Sequence, residues 1–265
     1  MRNFINKLII LFNRFYILFI PTLSSSLIKK INLNNFSNSI DKKKNKVLIL
    51  APHFDDEILG CYNLIYNNKK NKISIAFITD SKGTDNKINY DFDTRKKESL
   101  KALSKFENIQ NVYYFKLPDQ GVKNNLDLLE DKIKIISKSY NFVFSPTFWD
   151  KTIDHKWTAI VSKSIVPINK LIYYRSTYLT FNACESSFFE VCLLKNKIES
   201  LKNFKSQEHL LLKKQPFFSS YKSKSGKIYS VECFLKATDI SNIKKINFNT
   251  LSIFNSKLSE SFTCK

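Results

Sequence analysis

The sequence predicts an α/β fold, a Rossmann-like, doubly wound and mostly parallel sheet with helices on both faces. Short apolar runs of the length of a buried strand recur at residues 47–51, 73–79, 112–115 and 141–145. Segments with apolar residues at helical spacing follow these runs, and such alternation in units of about 30 residues is typical of a parallel sheet. With 265 residues, of which 43% are hydrophobic, the chain is long enough to bury the core of this fold.

The first predicted strand leads into an unusually polar turn. The run Val47–Ala51 is apolar at every position, and Pro52 ends it. The next five positions hold four ionisable side chains: His53, Asp55, Asp56 and Glu57. A helical pattern then resumes, so these residues lie at the carboxyl end of a strand, where open α/β sheets bind their ligands.

The residue types in this turn favour metal chemistry. His53 and Asp56 offer a nitrogen and an oxygen ligand at a His-x-x-Asp spacing, and a catalytic Zn²⁺ site takes three such ligands and keeps one position for water. The metal lowers the pKa of that water, and the neighbouring carboxylate of Asp55 is the candidate general base. The alternative is that Asp55 and Asp56 only cap the helix that follows.

The fourth predicted strand ends close to another histidine. His155 is one of three histidines in the chain and stands at the start of a helix predicted over residues 156–166. In a parallel sheet this position shares an edge with His53 and Asp56, which makes His155 the candidate third metal ligand. The alternative is that Asp154 and His155 form a helix cap with a solvated ring.

The remaining elements are predicted from the same periodicities. Residues 92–107 and 126–139 are predicted helices. In the C-terminal third we expect strands at 171–174 and 229–235 and a helix at 195–204, whereas residues 240–265 carry no motif.

The N-terminal segment 1–33 differs from the rest of the chain. It is predominantly apolar with a small polar face, but Asn13 and Arg14 interrupt it and Pro21 ends it, which makes it a poor membrane span. Such a segment is typical of a helix that lies in a membrane interface. Packing on the protein's own core and a signal sequence are the alternatives. Residues 34–46 are predicted to be a polar linker to a catalytic domain over residues 47–265.

Charge and cysteine content limit the other classes. The formal net charge is +20, which suits an anionic membrane or a nucleic acid, but the lysines are spread along the sequence, so nucleic-acid binding is not expected. The five cysteines form no Cys-x-x-Cys pair, which argues against a structural zinc site and for reduced thiols. We therefore expect a cytoplasmic protein, peripheral at the inner face of a membrane.

Several motifs together resemble the N-acetylglucosaminyl-phosphatidylinositol de-N-acetylase (PIG-L), or LmbE-like, family. The turn from Pro52 to Glu57, followed by Leu59-Gly60, is similar to the family signature Ala/Pro-His-Pro-Asp-Asp-Glu. Further matches follow in the family's order: Thr79-Asp80 with Gly83, Arg95-x-x-Glu98, Leu117-Pro118-Asp119, Asp154-His155, and Lys197 with Ser206-Gln207.

The resemblance implies a zinc-dependent amidase that removes acetyl from an N-acetylglucosamine-type sugar or glycoconjugate, including a lipid-linked or envelope glycan. Fe²⁺ and Mn²⁺ also accept such ligands. The roles it implies are Zn²⁺ ligands for His53, Asp56 and His155, general base for Asp55, sugar contacts for Arg95 and Asp119, and loop support for Glu57.

Two positions depart from the family pattern. Phe54 replaces the usual proline, and Thr152 stands where the family has the first histidine of His-Pro-Asp-His. The resemblance implies that this histidine stabilises the oxyanion or protonates the leaving amine, and loss of an oxyanion donor costs ~10²–10³ in rate. Thr152, Lys151 and His209 are the candidate substitutes. The alternative function is a silent sugar- or lipid-binding module that retains the metal loop.

Overall fold

The structure is a computed structural model that describes residues 44–83, 91–176, 180–181, 186–210, 220–222 and 226–242. The N-terminal segment 1–33 and nearly all of the predicted linker lie outside these ranges, so both stay predictions. Within the described residues, no helix combines the length and the apolar composition that crossing a membrane requires.

The strands of the described chain are β1 (Lys46–Ala51), β2 (Lys72–Thr79), β3 (Ile109–Leu117), β4 (Phe142–Pro146), β5 (Leu171–Tyr174), β6 (Phe188–Leu193), β7 (Ser220–Lys222) and β8 (Ile228–Lys236). They form one mixed sheet with the strand order β3-β2-β1-β4-β5-β8-β6, and β7 pairs with β8. The first five strands pair in parallel, whereas β8 is antiparallel to its three neighbours. The predicted α/β class and its mostly parallel sheet are confirmed.

Helices cover both faces of the sheet, as the fold class requires. They are α1 (Asp56–Asn67), α2 (Phe92–Leu103), α3 (Leu126–Ser137), α4 (Ile153–Ile165) and α5 (Leu194–Leu201), with short 3-10 turns at Val122–Asn124, Lys205–Leu210 and Ala237–Asn242. One core cluster buries α1, α2 and α5 through residues such as Ile58, Leu103 and Leu201. The other buries α3 and α4 through Ile133 and Ala159.

Several predicted boundaries are wrong. Helix α2 ends at Leu103 rather than at residue 107, because Phe106 turns back into the core. Helix α4 begins at Ile153, three residues earlier than predicted, and its first turn closes through a bond from the Lys156 N–H to the Thr152 carbonyl. His155 therefore lies inside the first turn of α4. Strands β6 and β7 were not predicted at all.

A close helix–strand contact fixes α1 against the sheet. The ring of Tyr174 on β5 lies where Gly60 has no side chain, and a Cβ at Gly60 would lie 2.3 Å from Cδ2 of that ring. The Tyr174 hydroxyl donates to the Leu50 carbonyl at 2.8 Å. Because β1, α1 and β5 are held together in this way, the first turn of α1 is presented at the carboxyl edge of the sheet.

A buried carboxyl lies in the unpredicted strand β6. Glu190 is 6% exposed and accepts hydrogen bonds from the side-chain amides of Asn67 at 2.7 Å and Asn68 at 3.0 Å. Burial raises the pKa of Glu190 to about 7, although these hydrogen bonds lower it. Its folded-state pKa is therefore above its unfolded value, so ionisation of Glu190 destabilises the fold.

We expect Glu190→Gln to remove a pH dependence of stability. The contribution of wild-type Glu190 is fully present below pH 4.5 and is lost as pH rises through about 7. Over this interval the free energy of unfolding should shift in favour of the variant by up to about 3 kcal/mol. Urea unfolding at a series of pH values checks this, with the exposed Glu130→Gln as control. A variant that follows the wild-type pH profile would contradict it.

Candidate metal centre and active site

Two neighbouring strand ends bring together the predicted metal ligands. His53 lies in the turn after β1, Asp56 is the first residue of α1, and His155 lies in the first turn of α4. Because β1 and β4 are parallel neighbours, the loops that follow them meet at the same edge of the sheet.

The ligand atoms of these residues face one another at distances that suit a single metal ion. Nδ1 of His53 lies 3.3 Å from Nε2 of His155 and 3.4 Å from Oδ2 of Asp56, and the latter two atoms are 3.0 Å apart. A tetrahedral ion with bonds of about 2.0–2.1 Å separates its ligand atoms by about 3.3 Å. The three residues therefore fit a tetrahedral divalent cation.

Neighbouring side chains orient these ligands. Nδ1 of His155 lies 3.1 Å from Oδ2 of Asp150, which turns Nε2 towards Asp56. The other oxygen of Asp150 accepts the Thr152 N–H at 2.9 Å, so one buried carboxylate fixes both the ring and the start of α4. The Ser176 hydroxyl donates to Oδ1 of Asp56. Metal-ligating histidines commonly carry such a partner on their second nitrogen.

The second nitrogen of His53 faces two further carboxylates. Its Nε2 lies 3.1 Å from Oδ2 of Asp154 and 3.4 Å from Oδ1 of Asp119. Although these three residues also form a group of possible ligands, both carboxylates are already occupied. Asp154 accepts the backbone N–H groups of Gln120 and Val122, and Asp119 accepts that of Gly83. We therefore interpret this group as hydrogen-bonding support for His53.

Asp56 lies in a buried cluster of ionisable side chains that shift one another's pKa values. Burial raises the pKa of its carboxyl, but His155 and His53 outweigh this and hold the pKa well below its usual range. Burial lowers the pKa of His155, but Asp56 and Asp150 raise it to about 10. This concentration of negative charge around two imidazoles is an environment that attracts a cation.

Asp55 lies beside this centre in a strained backbone conformation. Its φ is 136°, a region that side chains rarely adopt, and such strain is typical of functional sites. Oε2 of Glu57 accepts the Asp55 N–H at 2.9 Å and holds the turn. Nη2 of Arg95 donates to the Phe54 carbonyl and lies 3.3 Å from Oδ2 of Asp55. Burial raises the pKa of Asp55 to about 7, although Arg95 lowers it.

Glu57 has the contacts of a supporting residue. It is fully buried, and its Oε1 accepts the Ser99 hydroxyl at 2.7 Å. Burial raises the pKa of Glu57 to about 8, although the bond from Ser99 lowers it. The buried carboxyl of Glu57 thus connects α1, α2 and the turn after β1.

Other residues of the sequence motifs act in packing rather than at the centre. Glu98 accepts hydrogen bonds from the backbone N–H and the hydroxyl of Ser206 at 2.8 and 2.5 Å. Lys197, 2% exposed, donates to Oε1 of Glu232 at 2.6 Å and to the Leu59 carbonyl at 2.7 Å. These bonds join α5 and the turn after it to α1 and α2.

Among the described residues, the structure gives no contact between the three candidate ligands and the side chains proposed to replace the family histidine. Thr152 is half-buried at the N-cap of α4, and its hydroxyl forms no hydrogen bond with the described residues. Lys151 is exposed. The side chain of His209 lies outside the described part of the chain. Arg95 and Asp119 both border the centre, the former at Asp55 and the latter at His53.

Sequence reasoning assigned no role to three residues that contact the centre: Asp150, Asp154 and Ser176. Asp154 could have been found from the sequence, because it directly precedes His155 in the family motif. Asp150 could have been found as a carboxylate in the same loop, whereas Ser176 follows a distant strand and has no local signal.

Part of the chain matches the model of a known protein family. Residues 48–166 match the family model described as PIG-L: GlcNAc-PI de-N-acetylase. A search of curated proteins gives no match.

Solved structures share the fold. N,N'-diacetylchitobiose deacetylase from Pyrococcus horikoshii has a TM-score of 0.57 at 16% identity, over 84% of this chain and 92% of its own. The pseudoaglycone deacetylase Dbv21 has a TM-score of 0.52 at 14% identity, over 74% and 99%. The hydratase GalB from Pseudomonas putida KT2440 has a TM-score of 0.50 at 13% identity, over 78% and 100%.

These likenesses establish the fold, which serves two deacetylases and a hydratase, so the reaction must be argued from the site itself. The segment that matches the family model contains the turn after β1 and the first turn of α4, and so all three candidate ligands. The resemblance found in the sequence is confirmed for this segment: residues 48–166 match the model of the GlcNAc-PI de-N-acetylase (PIG-L) family.

Proposed function

We propose that this protein is a divalent-metal-dependent hydrolase that removes the N-acetyl group from an N-acetylglucosamine-type sugar or glycoconjugate. The observation that carries the proposal is the convergence of His53, Asp56 and His155 at 3.0–3.4 Å, with the carboxylate of Asp55 beside them. The matched family and the Pyrococcus relative are both named for deacetylation of such sugars, which supports the same substrate class. A lipid-linked or envelope glycan belongs to this class.

The metal would be held by His53, Asp56 and His155. Two nitrogens and one oxygen suit Zn²⁺, and Fe²⁺ and Mn²⁺ accept the same ligand set. When bound, the ion lowers the pKa of a water molecule and polarises the acetamide carbonyl. Ser176 and Asp150 keep Asp56 and His155 in position, and Asp154 does so for His53.

Asp55 carries the proton transfers. Its carboxylate takes a proton from the attacking water as the water oxygen bonds to the acetyl carbon. It then gives the proton to the amine nitrogen as the carbon–nitrogen bond breaks. The second proton of the water stays on the acetyl oxygen, so acetic acid and the free amine leave, and at neutral pH they become acetate and an ammonium. Arg95 holds Oδ2 of Asp55 at 3.3 Å and fixes the direction of the carboxylate. Because Arg95 is only 3% exposed, we assign it to positioning Asp55. Asp119 is partly exposed, so in addition to its contact with His53 it stays the candidate for a sugar contact.

Thr152 is our first candidate for the role of the missing family histidine. It lies three residues before His155, and its hydroxyl has no partner among the described residues, so it is available to donate to the oxyanion. Lys151 is the second candidate because its exposed ammonium belongs to the same loop. His209 is a third candidate, supported by the sequence alone.

We expect Asp150→Ala to weaken metal binding by about 10–100-fold, because the His155 ring loses the partner that orients Nε2. Asp150→Asn keeps an acceptor oxygen and should recover part of the affinity. Competition with a chromogenic chelator measures zinc affinity directly, and Glu130→Ala on the exposed face of α3 is the matched control. Unchanged zinc affinity in Asp150→Ala would remove Asp150 from the centre.

The function is tested by acetate release from a panel of N-acetylglucosamine conjugates, with the purified protein loaded with Zn²⁺, Fe²⁺ or Mn²⁺. Release with one of these metals, and none after chelation, is the expected result. Sugar binding without acetate release would instead favour the silent binding module, for which the loss of the family histidine at Thr152 is the specific observation.

A further inference from the structure

The edge of the sheet opposite the candidate site has an unusual charge. This amino edge comprises the residues that lead into the parallel strands, 44–46, 68–72, 104–108, 138–141 and 166–170. These residues include one acidic side chain, Glu107, and eight lysines: Lys44, Lys46, Lys69, Lys70, Lys72, Lys105, Lys138 and Lys170. The antiparallel β8 ends at the same edge and adds Lys236 and Asp239. The whole chain has 43 basic and 23 acidic residues, so the fold concentrates basic charge here beyond the composition.

Most of these lysines are exposed and form no ion pair with the described carboxylates, so their ammonium groups can bind an anionic partner. Lys105 and Lys170 donate to the Tyr62 hydroxyl and the Tyr140 carbonyl. The other six of the eight are exposed, and none forms an ion pair with a described carboxylate. Lys46 and Lys72 occupy paired positions on adjacent strands, about 4.8 Å apart. Like charges side by side repel, and an anionic partner would relieve this repulsion.

Exposed apolar side chains border the same edge. Ile168, 59% exposed, lies in the connection between α4 and β5, and Ile135, 71% exposed, lies in the last turn of α3. Tyr66, 38% exposed, lies in the last turn of α1. Apolar and aromatic side chains among lysines suit the interface of a bilayer, where the chains enter the headgroup region and the ammonium groups meet anionic lipids.

The N-terminal part of the chain leads directly into this edge. Lys46 donates its N–H to Oδ1 of Asn141 at 2.8 Å, and the Asn141 N–H donates to the Lys46 carbonyl at 2.8 Å. The chain therefore joins the domain beside the loop that follows α3. The sequence of residues 1–33 predicts a membrane-interfacial segment, which would hold this edge of the domain near the same bilayer.

We propose that the amino edge binds the surface of an anionic phospholipid membrane, with the candidate site on the edge that faces away. Bilayer and nucleic acid both present phosphates, but the exposed isoleucines and the apolar segment 1–33 favour the bilayer. The proposal does not depend on the deacetylase reaction, because binding is measured without a substrate.

The experiment compares co-sedimentation of full-length variants with phosphatidylcholine vesicles that contain phosphatidylserine. The edge variant combines Lys46→Gln, Lys72→Gln and Lys138→Gln. The control removes the same charge elsewhere through Lys97→Gln, Lys195→Gln and Lys227→Gln, three exposed lysines outside the amino edge. At about 1 kcal/mol per lysine, we expect the edge variant to bind on the order of 100-fold more weakly and the control to bind nearly as the wild type does.

A second variant tests the apolar contact: Ile168→Ser should weaken vesicle binding without any change of charge. Thermal unfolding of each variant shows whether it is folded. Equal loss in the edge and control variants would overturn the proposal, because binding would then follow net charge alone. Wild-type binding by the edge variant, or binding of duplex DNA but not of vesicles, would overturn it as well.

Discussion

Asp55→Asn is expected to abolish acetate release and to leave metal binding intact. The amide cannot take a proton from water, and loss of a general base costs about 10²–10⁴ in rate. Its oxygen still faces Arg95, and none of the three candidate metal ligands is altered. Rate measurement with the most active conjugate, together with the zinc content of the same preparation, checks both halves of the prediction.

Asp93→Asn, an exposed carboxylate of α2, is the matched control and should keep the wild-type rate. An Asp55→Asn variant that retains its rate would show that another group moves the proton. A variant that loses zinc together with activity would instead assign Asp55 to the metal centre, and our division of roles between Asp55 and Asp56 would be wrong.

His155→Ala should give the opposite pattern, with loss of the metal itself. We expect about one zinc per wild-type chain and almost none in the variant, because the ion would keep only His53 and Asp56 as ligands. Metal analysis after dialysis measures this without any activity assay. Zinc stabilises the folded state that binds it, so the wild-type melting temperature should rise on zinc addition while that of the variant stays constant.

Because His155 is 2% exposed, its removal leaves a cavity that lowers stability by itself. His155→Gln fills more of this space and separates packing from ligation: it should recover stability without recovering zinc. Full zinc occupancy in His155→Ala would show that the metal lies elsewhere, and the second group around His53, with Asp119 and Asp154, would become the candidate.

The sequence alone predicted the features that depend on local spacing. The buried strand before Pro52 and the ionisable residues after it lie within one short segment, so their proximity needs no knowledge of the fold. His155 required one further step, the rule that parallel strands present their carboxyl ends at a common edge. The structure does bring His53, Asp56 and His155 together, and this proximity was predictable because strand and helix periodicities are strong in the first two thirds of the chain.

Features that depend on long-range packing could not be predicted. Strand β6 places the ionisable Glu190 in a buried position and so breaks the apolar pattern of a core strand. Ser176 contacts Asp56 across 120 residues, a separation that no motif records. The lysines of the amino edge are scattered in the sequence, and only the topology shows that they share one end of the sheet.

The length of the parallel strands sets the distance between the two edges of the sheet. β1 has six residues and separates Lys46 at one edge from the metal loop at the other by about 20 Å. With the amino edge on a bilayer, the candidate site would stand at least this far above the headgroups. Within the proposed substrate class, this distance disfavours a sugar attached directly to a headgroup of the same bilayer. The best substrates would then be long glycans that extend from the surface, or soluble oligosaccharides that arrive from the aqueous side.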